Sequence, residues 1–335
     1  MLLPILAVVI GLIILIYSAD MFIDGAVAIA IKHHMPKMLI GALIIGVGTS
    51  APEMVVSSLS ALAGSPGLAL GNAFGSNIVN IMLVLGVTAL IAPIVIQKQA
   101  LKTDFVWLIS ATIVAVVVML DGHISRIDAG ILLAVLAANI CMQVIYAKRH
   151  AKAAAESAIL ASDEHAYELA EDELPDPNAV STPKSLLKLI AGLVVLVLSS
   201  RLIVWGAVEL ATLWGLSELI IGLTIVAIGT SLPELVSSVV AARRGEFEMA
   251  LGNVLGSNLF NTLGVVGVAG LIMPMDVAPE VLSRDTVVMC AITLLLFIMC
   301  ALALKRDGQI GRLSGALLIS CFIGYSAWLM VSVMA

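Results

Sequence analysis

The chain has 335 residues, of which 61% are hydrophobic and 12% are charged, and its formal net charge is -6. A soluble domain carries about 25% charged residues, so this chain lacks the polar surface that water requires and its solvent is predicted to be lipid. The acidic excess is local, because eight of the 23 acidic residues lie between Glu156 and Asp176. No basic tract suggests nucleic acid, and the four cysteines lack the paired spacing of a metal or redox site.

Polar and Gly/Pro clusters divide the chain into ten apolar segments, each near the roughly 20 residues that a membrane span needs. The first is apolar from Leu2 and has no basic residues before it, so it is interpreted as a transmembrane helix and not as a cleaved signal peptide. The predicted spans are 2–24, 38–63, 68–92, 103–120, 124–147, 185–208, 218–242, 247–272, 284–304 and 311–333. We expect three units: a first half at 1–147, a polar linker at 148–184 and a second half at 185–335.

The distribution of basic residues predicts the orientation of these spans. If the N-terminus is outside, 14 of the 17 Lys and Arg residues fall in cytoplasmic segments and only Arg126, Arg201 and Arg284 fall outside. Basic residues concentrate on the cytoplasmic side of membrane proteins. We therefore expect both termini outside and the linker in the cytoplasm. Asp20 and Asp24, near the inner end of the first span, could form a vestibule or simply a solvated helix end.

The sequence of the first half recurs in the second half. GALIIGVGTSAPE at 41–53 aligns with GLTIVAIGTSLPE at 222–234, and ALGNAFGSNIVN at 69–80 aligns with ALGNVLGSNLFN at 250–261 in the same register. Positions that this register pairs are called matched positions. Each half holds five predicted spans, an odd number, so the second half must cross the membrane in the opposite direction. Inverted repeats are typical of secondary transporters. The predicted fold is an all-α integral membrane protein with ten transmembrane helices in two inverted five-helix repeats.

Each half places one glutamate deep in the membrane. Glu53 and Glu234 fall about 15 residues into their spans, which at about 1.5 Å per residue is well inside the hydrocarbon region. A carboxylate there costs about 2.5–3.5 kcal/mol on insertion scales. No basic residue is predicted at that depth to form an ion pair, so both glutamates are predicted to be functional.

The flanks of both glutamates supply further oxygen atoms. Pro52 and Pro233 lack an N–H, so each helix is predicted to break and to free backbone carbonyls. Serine and asparagine at i,i+4 spacing in the second aligned segment share one helix face. Oxygen donors without thiolate or imidazole favour calcium, magnesium, manganese or sodium. The predicted side-chain donors are Thr49, Ser50, Thr230, Ser231, Ser76, Ser257, Asn80 and Asn261.

Two carboxylates in one dry site match one divalent cation, several monovalent ions, or protons. They cannot both remain charged while the site is empty, so their titration is expected to be coupled. A site that crosses the membrane only when it is loaded with one ion class or the other gives an antiporter.

These motifs, GTSxPE at 48–53 and 229–234 with GNxxGSNxxN at 71–80 and 252–261, resemble the two alpha repeats of the calcium/cation antiporter superfamily, and within it the bacterial sodium/calcium exchangers. The resemblance covers the whole chain. It implies a protein of the plasma (inner) membrane in which the long first and sixth spans slide across the remaining bundle. Calcium and sodium would bind as transported substrates, and no cofactor is implied.

The resemblance also implies roles for individual residues. Glu53 and Glu234 would bind calcium with the help of Thr49 and Thr230. The sodium sites would share these residues and would be completed by Ser50, Ser231, Ser76, Ser257, Asn80 and Asn261 and by carbonyls near Gly46 and Ala227.

The main alternative is a proton-coupled calcium or other divalent-cation antiporter of the same fold. Some relatives have Asp where this chain has Asn261, and the potassium-dependent ones resemble that version, so the neutral Asn80 and Asn261 weaken the case for potassium. The second motif lacks the additional acidic residues of proton-coupled relatives, which favours sodium. A channel is less favoured, because a site with two dry carboxylates binds too tightly for fast passage. The spans lack the His–Ser and His–Glu patterns of an intramembrane enzyme, and no obligate protein partner is evident.

Overall fold

The structure, a computed structural model, describes residues 2–33, 35–161, 181–215 and 227–334. Nearly all of these residues are helical. The helices of the first half are α1 (Leu2–Lys32), α2 (Lys37–Ile40), α3 (Gly46–Thr49), α4 (Ala51–Leu62), α5 (Pro66–Val79), α6 (Leu85–Ile91), α7 (Lys98–Lys102), α8 (Asp104–Met119) and α9 (Arg126–Ala161). Those of the second half are α10 (Thr182–Leu213), α11 (Ala227–Thr230), α12 (Leu232–Arg243), α13 (Phe247–Phe260), α14 (Val266–Ile272), α15 (Val287–Lys305) and α16 (Arg312–Met334).

In the described ranges, short π-helical segments interrupt these helices at Gly41–Ile45, Asn80–Val84, Asn261–Val265 and Val281–Thr286. Two of them begin at Asn80 and Asn261, which are matched positions of the internal repeat. π-helical turns are rare and occur often at functional sites. The same irregularity therefore marks the same point of both halves.

Within the described ranges, eight helices are long and apolar enough to cross a membrane, and the bent pair Lys37–Thr49 and Ala51–Leu62 makes a ninth if it counts as one span. Large apolar side chains cover the outside of the bundle: Leu2, Val117 and Leu187 are 73%, 58% and 68% exposed. Such a surface fits lipid, and the predicted all-α membrane protein is confirmed. The predicted span 218–242 begins outside the described residues, and most of the predicted linker lies outside them too.

The two matched helix pairs α5–α6 and α13–α14 form the centre of the bundle. In each pair, 72% of the most apolar stretch is buried, against 11% to 39% in the other six candidate spans. The main hydrophobic core surrounds them and includes Phe74, Phe105, Leu255 and Leu263. The polar side chains Ser76, Asn77, Asn253, Ser257 and Asn258 of α5 and α13 are therefore buried, whereas Asn72 is half-buried.

Helices α1 and α10 pack against each other in antiparallel orientation along their whole length. A Cβ atom at Gly25 would lie 2.5 Å from the backbone nitrogen of Leu189, and one at Gly192 would lie 2.6 Å from that of Phe22. Gly11 and Gly206 make similarly close contacts near the other end of the pair. Glycines allow membrane helices to approach this closely. A separate apolar cluster containing Phe22 packs this helix pair against the rest of the bundle.

Among the described residues, two small antiparallel sheets join the halves crosswise. β1 (Ile94–Val95) pairs with β4 (Gln309–Ile310), and β2 (His123–Ile124) pairs with β3 (Met275–Asp276). β1 and β3 follow the matched Pro93 and Pro274, whereas β2 and β4 follow Asp–Gly turns whose glycines have φ of +79° and +72°. Glycine adopts such angles without strain. Each half thus uses its proline strand to hold the turn of the other half.

Candidate ion-binding site

The two predicted glutamates lie directly after breaks in two helices. α3 ends at Thr49, Ser50 leaves the regular helix with φ −81° and ψ 3°, and α4 begins at Ala51 after a bend of 42°. In the second half Ser231 does the same between α11 and α12, with φ −90° and ψ 8°. Proline at the second position of α4 and of α12 costs no helical hydrogen bond there. The predicted break is confirmed, and it places each glutamate in the first turn of a helix, where the helix dipole favours negative charge.

Glu53 and Glu234 are both 0% exposed. Neither carboxylate oxygen of Glu53 has a hydrogen-bond partner in the described part of the chain, and the same holds for Oε2 of Glu234. Oε1 of Glu234 accepts a hydrogen bond from Ser50 Oγ at 3.3 Å. Buried carboxylates are normally paired, bound to a metal ion or protonated, so this pair requires bound cations or protons.

Hydrogen bonds from both halves meet at the same point. Besides the bond from Ser50 to Glu234, Thr49 Oγ1 donates to Asn253 Oδ1 at 3.2 Å. Ser257 Oγ donates to the carbonyl of Gly46 at 3.1 Å. Predicted site residues from the first half therefore contact the site elements of the second half directly.

Asn80 and Asn261 are completely buried, and the side-chain oxygen and nitrogen of both have no partner among the described residues. One turn earlier, Asn77 Nδ2 donates to Thr262 Oγ1 at 2.7 Å, and Asn258 Nδ2 donates to the carbonyl of Asn77 at 3.2 Å. Asn77 and Asn258 thus join the central helices, whereas Asn80 and Asn261 keep free amide oxygens.

The other predicted ligands have different surroundings. Ser76 and Ser231 are 4% and 1% exposed, and Ser231 Oγ has no partner in the described residues. Thr230 is half-buried, and Ala227 is the first residue of α11. The carbonyl of Gly229, expected to be freed by Pro233, instead accepts a hydrogen bond from Ser200 Oγ at 3.0 Å.

Two asparagines that hold the main chain of the glutamates were not predicted from the sequence. We call each of these asparagines, with its hydrogen bonds to a glutamate carbonyl and a serine hydroxyl, an asparagine bracket. Asn253 Nδ2 donates to the carbonyl of Glu234 at 3.2 Å and to Ser238 Oγ at 2.8 Å. Asn72 Nδ2 donates to the carbonyl of Glu53 at 3.2 Å and to Ser57 Oγ at 2.9 Å. Ser57 and Ser238 are matched positions of the internal repeat, which is the signal that could have found them. The brackets fix the main chain of both glutamates from the neighbouring helix.

At one end of the molecule, Arg244 binds both aspartates of α1. Its Nη2 atom lies 2.6 Å from Asp20 Oδ1, and its Nη1 atom contacts Asp24, which also lies 3.5 Å from Lys188 Nζ. Partial burial lowers the pKa of Arg244, but the hydrogen bonds and charges of Asp24 and Asp20 outweigh this and raise it above the usual value. These aspartates are thus bound in an ion cluster and are separate from the central site.

The central site suits a hard cation. Its unpartnered buried atoms include the oxygens of Glu53 and Glu234 described above, Ser231 Oγ and the amide oxygens of Asn80 and Asn261. Native proteins leave few buried polar groups unpaired, and carboxylate, hydroxyl and amide oxygens are ligands for calcium and sodium but not for softer metals. Ionisable groups of this kind within membrane spans mark ion pathways. The fold and the site together define a membrane transporter for cations.

Comparisons with known proteins identify the family. The profile described as "Sodium/calcium exchanger protein" matches residues 3–145 and 184–331. The chain is 40% identical to the putative antiporter CaxA of Alkalimonas amylolytica over 97% of this chain and 98% of that protein. It is 30% identical to the sodium/calcium exchanger MaX1 of Methanosarcina acetivorans over 96% of each. A solved structure of the sodium–calcium exchanger NCX_Mj, soaked with Na⁺ and Sr²⁺, matches it with a TM-score of 0.79 and 33% identity, covering 97% of this chain and 98% of that one.

The chain therefore belongs to the sodium/calcium exchanger family, within the calcium/cation antiporter superfamily, and is a multi-pass membrane transporter. The resemblance found in its two motifs is confirmed.

Proposed function

We propose that this protein exchanges calcium for sodium across the plasma (inner) membrane by alternating access. The observation that carries the proposal is the pair Glu53 and Glu234: both are fully buried, both hold unpartnered oxygens, and each comes from a different half. One Ca²⁺ or Na⁺ ions can neutralise the two negative charges. When the site is empty, both charges are left uncompensated. An empty site is therefore costly to move through the membrane, and this cost couples the two fluxes.

The proposed calcium ligands are Glu53, Glu234, Thr49 and Thr230. The proposed sodium sites share these residues and add Ser50, Ser231, Ser76, Ser257, Asn80 and Asn261 with carbonyls near Gly46 and Ala227. The hydrogen bond from Ser257 to the Gly46 carbonyl supports this set, because it brings a hydroxyl and a carbonyl from different halves together. Both ions act as substrates, and the proposal needs no cofactor or protein partner.

The proposed architecture is ten spans in two inverted repeats, 1–147 and 185–335, joined by a cytoplasmic linker at 148–184, with both termini outside. Three observations support it: the internal sequence repeat, the crosswise strand pairs, and the family profile, which matches on either side of the linker. The close α1–α10 pair has its own apolar contact with the bundle, which suits a unit that slides to expose the site on alternate sides.

Sodium is preferred to protons as the coupling ion for two reasons. Two relatives that match over nearly the whole chain are named sodium/calcium exchangers. The positions Asn80 and Asn261 are neutral amides, which cannot carry a proton across the membrane. A proton-coupled antiporter of the same fold is the competing proposal.

The test is calcium-45 uptake into proteoliposomes loaded with sodium, choline or low-pH buffer. We expect uptake only with internal sodium. Removing one carboxylate from a buried charged site costs about 3–5 kcal/mol, so Glu53→Gln and Glu234→Gln should each lower uptake at a fixed calcium concentration by at least about 100-fold.

Glu209→Gln, at an exposed acidic residue of α10, is the matched control and should retain uptake. Uptake that follows the proton gradient and ignores sodium would replace this proposal with proton coupling. Absence of uptake under every gradient would reject calcium as the cargo.

A further inference from the structure

A cavity of about 440 Å³ opens between the ends of α2, α8, α9 and α13. The carboxylates of Asp104 and Glu248 line it together with the amides of Gln97 and Gln143 and the ring of Trp107. None of the described lining residues is Lys or Arg, but Glu248 accepts a hydrogen bond from Gln97 Nε2, and Lys37 at the same end pairs with Glu246. In the proposed orientation this cavity faces the cytoplasm.

The amide of Gln143 carries an acceptor that has no partner in the described part of the chain. Gln143 is only 7% exposed, and its Nε2 atom donates to Asn139 Oδ1 at 2.9 Å. Oε1 of Gln143 and Nδ2 of Asn139 both have no partner among the described residues. A buried carbonyl oxygen without a donor, beside two carboxylates in a cavity, is the arrangement that a cation or its hydration water would complete.

The cavity continues towards the centre of the protein. A second, narrow cavity of about 20 Å³ shares Asp104 and Gln143 with the first and adds Asn139 and Gly256. It has room for about one water molecule. The residue after Gly256 is Ser257, which binds the carbonyl of Gly46 in the central site. The second cavity thus borders the helical turn that carries Ser257, and most of its other lining residues are apolar.

The matched region of the second half has a different chemistry. Asp285 is the matched position of Asp104, but Arg284 Nε lies 2.8 Å from its Oδ1 atom and Tyr325 donates to the same atom at 3.1 Å. In the first half Thr103 stands where the second half has Arg284. The carboxylate is thus neutralised in the second half, whereas its counterpart lines a cavity together with Glu248.

We infer that Asp104, Glu248 and Gln143 form a second, outer cation site: a vestibule that collects a hydrated divalent cation from the cytoplasm before it enters the central site. The inference rests on the proposed function. Water-filled cavities with one sign of charge concentrate counter-ions and accelerate their capture. Because the cation keeps its water, this site contributes to capture and not to the coupling of the two fluxes.

The test measures calcium uptake separately at the two faces, in right-side-out and inside-out membrane vesicles. Asp104→Asn removes one charge near a divalent ion, so the KM for calcium at the cytoplasmic face should rise about three- to tenfold at low ionic strength. The effect should shrink at high salt, where such charges are screened. The KM at the outer face and the maximal rate should not change. Gln143→Met, which removes only the amide, should raise the same KM by a smaller factor.

Asp104→Glu keeps the charge and should restore the wild-type KM, whereas a purely structural role would not be rescued. Asp285→Asn is the matched control, and it should leave the cytoplasmic KM unaltered. Equal changes of KM at both faces, a changed maximal rate with an unchanged KM, or the same result for Asp104→Asn and Asp285→Asn would overturn the vestibule. Wild-type vesicles without uptake at either face would instead reject the proposed function itself.

Discussion

The buried glutamates depend on asparagines that hold their main chain. Asn253 and Asn72 make the same two hydrogen bonds in the two halves, one to a glutamate carbonyl and one to a serine hydroxyl. Their surroundings differ, because Asn253 is 0% exposed whereas Asn72 is only half-buried. Asn253 also accepts from Thr49, so it contacts both halves. The two asparagines make the same two kinds of hydrogen bond, but removing Asn253 should reduce the stability of the protein more than removing Asn72.

We expect Asn253→Ala to lower the free energy of unfolding by about 1–3 kcal/mol, because it removes the hydrogen bonds to the Ser238 and Thr49 hydroxyls in a dry environment. Asn72→Ala should cost less, since water can replace its bonds. Thermal unfolding of both variants in detergent measures the difference. Equal losses of stability in the two variants would contradict the importance of burial at this bracket.

The proposed ligands could be predicted from the sequence because both halves of the repeat place the same polar residues deep in the membrane. Glu53 and Glu234 fall in this class, and the structure buries both. What could not be predicted is the partner of each polar group. Ser200 lies in another helix from Gly229, and only helix packing shows that it takes up the freed carbonyl.

At the scale of elements, α1 and α10 form one unit because glycine occurs where their backbones come closest. Gly192 and Gly206 are the matched positions of Gly11 and Gly25, so the contact is built from the same residues in both halves. At these glycines the two backbones are so close that a methyl group on one helix would collide with the other helix. The α1–α10 unit is therefore held by close backbone approach and does not depend on polar contacts along its length.

We predict that Gly25→Ala and Gly192→Ala each destabilise the protein by about 1–3 kcal/mol, because the added methyl group must push the partner backbone away. Gly130→Ala on α9 is the control: a Cβ atom there meets no atom within 4 Å, and alanine favours a helix by about 1 kcal/mol over glycine. Thermal unfolding should show the control at or above the wild-type stability. Unchanged stability of both Gly25→Ala and Gly192→Ala would show that the helices are not in close contact.

The spans and the breaks beside Pro52 and Pro233 were predictable from the sequence, but the ends of the helices and the π-helical segments were not. Apolar length locates α1 and α10, yet α1 continues past Asp20 and Asp24 to Lys32, and α10 begins at Thr182, before the predicted start at 185. α9 likewise runs to Ala161, beyond the expected boundary at 147. The π-helical segments have no sequence signal of their own, since they depend on how neighbouring helices pack.

At the scale of the whole molecule, the two ends differ in charge although the halves are related. Arg244, Lys188 and Lys37 form ion pairs at one end, whereas the other end holds the pair of His123 and Asp276. The predicted distribution of 14 against three basic residues follows the same division. Without this unequal distribution of basic residues, an inverted repeat would have no preferred orientation in the membrane. We therefore expect the basic residues to determine the orientation.

His123 and Gln309 occupy equivalent places in the two Asp–Gly turns, and the structure leaves both accessible. In the proposed orientation the first turn is outside and the second is in the cytoplasm. In a variant without the four native cysteines, His123→Cys should therefore react with a membrane-impermeant thiol reagent on intact cells. Gln309→Cys should react only after the cells are made permeable. Because the two positions match in strand pairing, a difference in labelling reports the side of the membrane and not local structure. The reverse pattern would place both termini inside, and labelling of both cysteines on intact cells would rule out the inverted arrangement.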